Sequence, residues 1–183
     1  WFCDGRSASL GLVALFVANL ATHLDALGVW PAWRRRGALA AVDVVAFFML
    51  AMAGRVFPMF TRNATGVATI RNIPVLDALS LASMALLTVL SVFMPDTPVT
   101  TVAAALAASF ALARAVFWGA QHSARNPLLW ILHAGYGWLC LGLVLRALAP
   151  WVGAHVATLA THALTAGAIG SLTLGMMARV ALG

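Results

Sequence analysis

The stretch 128–182 leaves the chain few choices. It reads as two apolar runs, 128–149 and 154–182, joined by a turn around Trp151. A hydrocarbon core ~30 Å thick is crossed by about 20 apolar residues in a helix, and each run is long enough. Four more runs of this kind precede them, at 9–27, 38–60, 75–94 and 99–118. In lipid the backbone must satisfy its own hydrogen bonds, and a helix does so within one segment. The expected fold is therefore all-α: one domain, a polytopic transmembrane helix bundle of about six spans. Its short connections make sequential helices antiparallel neighbours. The chain opens on Trp1 and stops at Gly183 directly after an apolar run, so it reads as a piece of a longer protein.

The charges agree with a bilayer as solvent. Only 9% of the residues are charged, against roughly 25% in soluble domains. All eleven cations are Arg and all five anions are Asp. The net charge of +6 is thus an excess of loop arginines that sets topology, and nucleic acid is not an expected partner. Arg34, Arg35 and Arg36, close to Trp30 and Trp33, form a membrane-surface loop. Arg6, Arg62, Arg71, Arg125 and Arg179 fall on the other side, and by count that side, with both ends of the chain, is cytoplasmic. Of the two cysteines, Cys3 and Cys140, the second lies inside an apolar run. No Cys-x-x-Cys-His occurs, which excludes covalent haem attachment.

Chemistry in such a chain belongs to the polar groups inside the spans. His133 and His162 are the leading candidates, because a neutral imidazole ligates iron, copper or zinc. The bland alternative is a helix–helix hydrogen bond. In a tight hairpin the residue level with His133 is near Gly170, which leaves His162 ~12 Å closer to the turn. One ion does not span that offset, so each histidine is expected to pair with a group on another helix. His155 shares a face with His162 but is two turns away. His122 sits in a loop and His23 beside Asp25 at a helix end. Arg55 reads as a clamp on an anion or as a side chain snorkelling to the headgroups. Arg114 is expected to snorkel. Asp43 is expected to pair with an arginine or carry a proton. Tyr136, one turn from His133, offers a phenolic hydrogen bond or an interface aromatic ring. Pro58, near the end of the second run, removes a backbone donor and frees carbonyls, with Arg55 and Arg62 on either side. Ala163, Gly167, Ser171 and Gly175 form a small-residue stripe for close helix approach.

Three stretches together resemble the NnrS family of polytopic membrane proteins. They are Gly54-Arg-Val-Phe-Pro-Met-Phe-Thr-Arg-Asn63, Pro127-Leu-Leu-Trp-Ile-Leu-His-Ala-Gly-Tyr-Gly-Trp138, and the run from Thr161-His162 to Met177-Ala-Arg179. The resemblance implies a haem- and copper-containing protein of the bacterial inner membrane, made in the response to nitric oxide and protective against nitrosative stress. It implies a protein longer than this chain, so the remaining helices or a second protomer would be partners. It also carries over a functional set: Arg55, Arg62, Asn63, His133, Tyr136, His162 and Arg179. On that basis His133 and His162 are expected as ligands to non-covalent, b-type haem or to copper, with Arg55 neutralising a propionate and Tyr136 close by. A rival expectation is a small-molecule or ion transporter with Asp43 and Arg55 in the pathway. A third is a structural bundle that packs on a partner through the Ala163–Gly175 stripe.

Overall fold

The structure, a computed structural model, describes residues 5–29, 31–67, 69–123 and 126–182. Cys3, Trp30 and Arg125 lie outside the described residues. The chain forms α1 (Gly5–Ala26), α2 (Arg34–Thr65), α3 (Pro74–Phe93), α4 (Pro98–Ala115) and α5 (Pro127–Val152). The sixth span is composite: α6 (Ala154–His162), a π-helical segment (Ala163–Gly170) and α7 (Ser171–Leu182). All six spans are long and apolar enough to cross a membrane, and no strand occurs among the described residues. Large apolar side chains such as Phe16, Val89, Phe93 and Leu174 point outward, as a lipid-facing surface requires.

Local signals fix the ends. Pro74, Pro98 and Pro127 each open a helix, where a missing N–H costs nothing. The Thr97 and Asn126 side chains accept the first free amides of α4 and α5. Gly66, at φ 69°, closes α2 by donating to Arg62 O, the left-handed cap that glycine adopts without penalty.

Each helix packs on the next in sequence, and α2 also reaches α5 and the π-helical segment. The core is small-residue rich. Ala103, Ala104, Ala107, Ala108 and Ala111 of α4 are buried with Leu50, Met84, Leu87, Leu139 and Leu143. Small residues let backbones close up where lipid supplies no hydrophobic drive.

The second helix runs on through the buried Pro58 to Thr65, beyond its expected end at Phe60. Thr61 Oγ1 donates to Phe57 O and Thr65 Oγ1 to Thr61 O. The sixth span carries an irregularity that the sequence did not announce, the π-helical segment directly after His162. One expectation fails: the stripe from Ala163 to Gly175 is not open to a partner, because α5 covers it. Trp138 lies against Gly167, and Ile131 and Leu132 against Gly175.

The α5 glycines answer in kind. Gly135 lies against Leu172 and Gly142 against Leu164. A methyl group added at Gly142 would sit 2.6 Å from Leu164 Cγ and 3.2 Å from its amide nitrogen, whereas nothing lies within 4 Å of one added at Gly137. Gly142→Ala is therefore expected to destabilise the bundle by about 1–3 kcal/mol through overpacking, while Gly137→Ala is neutral or slightly stabilising. Thermal unfolding of the two variants in one detergent checks this pair.

Candidate functional site

Two groups of buried polar side chains form, one toward each end of the bundle. The first centres on Arg114, at the end of α4 and 1% exposed. Every part of its guanidinium has a use. Nε donates to Tyr136 Oη at 2.8 Å, Nη1 to Asp77 Oδ1 at 3.1 Å and Nη2 to Leu50 O at 2.6 Å. The plane also lies over the Trp118 ring, 4.9 Å from its centroid, a favourable cation–π placement. Asn72 donates to the other Asp77 oxygen, and the Tyr136 hydroxyl donates to Ala111 O at 2.9 Å. Gly54 makes room for this: a methyl group there would lie 2.9 Å from both Asp77 oxygens and 3.1 Å from Arg114 Nη1. Arg114 therefore does not snorkel, and it ties α2, α3, α4 and α5 together.

His133 lies next to this group. Its Nε2 is 3.0 Å from Thr61 Oγ1, and its ring meets Phe57 edge-on at 5.7 Å. Thr61's single hydroxyl hydrogen goes to Phe57 O, so Nε2 carries the proton and Nδ1 keeps the lone pair. Tyr136 is buried, and its phenol serves Arg114 and Ala111 rather than His133.

The second group lies toward the opposite end, where α2 begins. Asp43, fully buried in α2, accepts from Arg146 Nη1 of α5. Arg146 Nη2 donates to Ser91 Oγ of α3 at 2.7 Å. Asp43 Oδ2 is buried with no hydrogen-bond partner among the described residues. Arg146 had no place in the sequence reading. The signal that could have found it is depth: Asp43 and Arg146 are lone, opposite charges inside two spans, set back a similar way from the same membrane face.

Beside this pair opens a cleft of about 1290 Å3 between the helices. His162 lines it, as do Arg146, Leu39, Val42 and Leu164. Arg34, Arg35 and Arg36 stand at its mouth with Asp25 and Asp96. Arg35 pairs with Asp96 at 3.0 Å, Asp25 accepts from the Trp33 amide, and Arg36 stacks on Trp33.

The remaining candidates disperse. The glycine contacts of α5 put about residue 173 level with His133, which leaves His162 ~16 Å nearer the turn. The two imidazoles thus belong to different surroundings. Arg55 is exposed on α2, ~20 Å along the helix from Val42 at the cleft. Arg62 and Asn63 are exposed at the end of α2. Arg179 lies over the Phe60 ring at 3.9 Å and so fastens α7 to α2. His23, His122 and His155 are exposed, and Cys140 is buried as a free thiol.

Six apolar spans, two buried ion pairs and a basic cleft define a polytopic integral membrane protein that keeps charge inside the bundle. The chain belongs to the NnrS family: the family described as NnrS protein matches it over residues 5–183. Compared with curated proteins and with solved structures, the chain has no match.

Removing one partner of a buried pair costs about 3–5 kcal/mol. Arg114→Gln is accordingly expected to lower the thermal midpoint in detergent steeply. Arg114→Lys does not restore it, because an ammonium cannot reproduce the three-way fork. The double change Asp77→Asn/Arg114→Gln is expected to be milder than Arg114→Gln alone. Equal losses in the single and double variants would show that the pair is not the source of the stability.

Proposed function

We propose that the cleft is the seat of a non-covalently bound, b-type haem, and that the protein serves the nitric oxide response of a bacterial inner membrane. The observation that carries this is the joint presence of His162 and guanidinium groups on one cleft. At about 1290 Å3 the cleft exceeds the ~300–1,000 Å3 of ordinary ligand pockets, which leaves room for a macrocycle. When bound, haem supplies an iron centre that takes nitric oxide or passes electrons. The chain's own residues do the rest. His162 would offer its imidazole to the iron. Arg34 and Arg36 at the mouth, and Arg146 deeper, meet carboxylates. Leu39, Val42 and Leu164 exclude water. The propionate role expected of Arg55 passes to these arginines.

Copper finds no comparable donor set: among the described residues no three His, Cys, Asp or Glu side chains converge. His133, with Nδ1 left to donate, would serve a second site completed by a group from beyond this chain.

The transporter reading has one feature in its favour. Asp43, with one oxygen unpartnered, pairs with an arginine that lines the cleft. Arg55 lies apart from that pair and has no share in it.

An optical spectrum of the purified protein, oxidised and reduced, separates the readings. A b-type signal is expected that collapses in His162→Ala and persists in His133→Ala, with both variants folded. A signal unaffected by His162→Ala would remove the cleft as the haem seat. A colourless, well-folded protein would leave the transporter as the better account.

A further inference from the structure

The Asp43–Arg146 pair is not symmetric with respect to the cleft. Asp43 is 0% exposed and does not line it, whereas the Arg146 side chain is 16% exposed and does. The negative end of the pair is turned into the bundle and the positive end toward the cavity. Arg146 is held in this pose from two sides, by Asp43 of α2 and Ser91 of α3.

The cleft wall does not compete for the same ligand. The hydroxyls of Thr101, Thr158 and Thr161 donate to carbonyls four residues back in their own segments, and that of Thr100 donates to Met94 O at the end of α3. Their hydrogens are spent, and they present acceptor oxygens to the cavity. Donation to an incoming anion therefore falls to the guanidinium groups and the His162 ring. Arg146 gives one N–H to Asp43 and one to Ser91, and a guanidinium has further N–H groups to offer. The arginines of the cleft outnumber its anions, Asp25 and Asp96, and an excess of one charge between low-dielectric walls concentrates counter-ions.

We propose that Arg146 is the inner anion anchor of the cleft, binding a carboxylate or oxyanion through its planar fork, with Asp43 and Ser91 as the positioning residues. The anionic oxygens could come from a free small anion or from the acidic group of a bound amphiphile. The proposal concerns the cleft itself and does not depend on haem being that amphiphile.

The test follows the unfolding midpoint of the full chain in detergent by tryptophan fluorescence. Sodium acetate or inorganic phosphate is titrated at constant ionic strength against sodium chloride. A spherical ion lacks the paired oxygens that match a guanidinium, and a ligand that binds only the folded state raises its midpoint. Three variants are compared: Asp43→Asn/Arg146→Gln, Arg146→Lys, and, as a control at an exposed arginine outside the cleft, Arg71→Gln. The double change at the pair avoids leaving a lone buried charge, and Arg146→Lys keeps the charge while removing the fork.

Acetate or phosphate is expected to stabilise the wild type and Arg71→Gln alike, with apparent affinity at least ~10-fold weaker in Arg146→Lys and no response in Asp43→Asn/Arg146→Gln. That result identifies a free anion as the occupant. Alternatively, the wild type ignores added anions but carries an extractable anionic amphiphile, found by mass spectrometry. A loss of at least ~10-fold of it in Arg146→Lys then identifies a bound acidic group as the occupant. An anion response that is unchanged in Arg146→Lys overturns the proposal. So does the absence of any response together with unchanged amphiphile content. His162→Ala is expected to keep the anion response even where it abolishes a haem spectrum, so the two readings fail separately.

Discussion

A guanidinium that never reaches water organises this bundle. Arg114 is charged at any physiological pH, and a bare charge at that depth would not be tolerated. The fold answers by bringing a carboxylate from α3, a phenol from α5, a carbonyl from α2 and an indole face to one place. Gly54 is a consequence, since only a residue without a side chain lets Asp77 and Arg114 come against α2. The alanine rows of α4 are another, because they let that helix come close enough to deliver Arg114. Hydrophobic packing in lipid does not by itself choose which helices are neighbours, whereas three hydrogen-bonded partners on three other helices do.

A second pair, Asp43 with Arg146, repeats the solution near the opposite face. α2 and α5 take part in both. α5 is the most heavily used element, carrying Tyr136, His133 and Arg146 on its polar positions. It also carries Gly135 and Gly142 where the sixth span presses against it. The cleft opens where that packing gives way near the turn, beside the arginines of the first turn of α2.

The spans were legible because length and apolarity suffice to mark a membrane helix. The family was legible from polar residues held at fixed places in apolar runs. The offset between His133 and His162 was legible in direction, since hairpin counting already set them apart. Other features were not. Arg114 reads as a snorkelling side chain as long as its partner, 37 positions away in a different helix, is invisible. Arg146 escaped notice because a lone arginine near a turn looks interfacial until Asp43 is placed beside it. In each case the missing information was a pairing between helices, which a periodic pattern does not encode.

The π-helical segment acts as a phase shift within a single span. Each residue of an α-helix turns the chain by ~100°, so a locally wider coil changes which way everything beyond it faces. His162 before the shift can look into the cleft while Arg179 beyond it looks onto Phe60, and neither face has to be continuous with the other. The two halves of the last span are free to be fitted to different neighbours. Restoring a plain α-helix across 163–170 would rotate one half against the other, and either the cleft would lose its imidazole or α2 would lose its clasp.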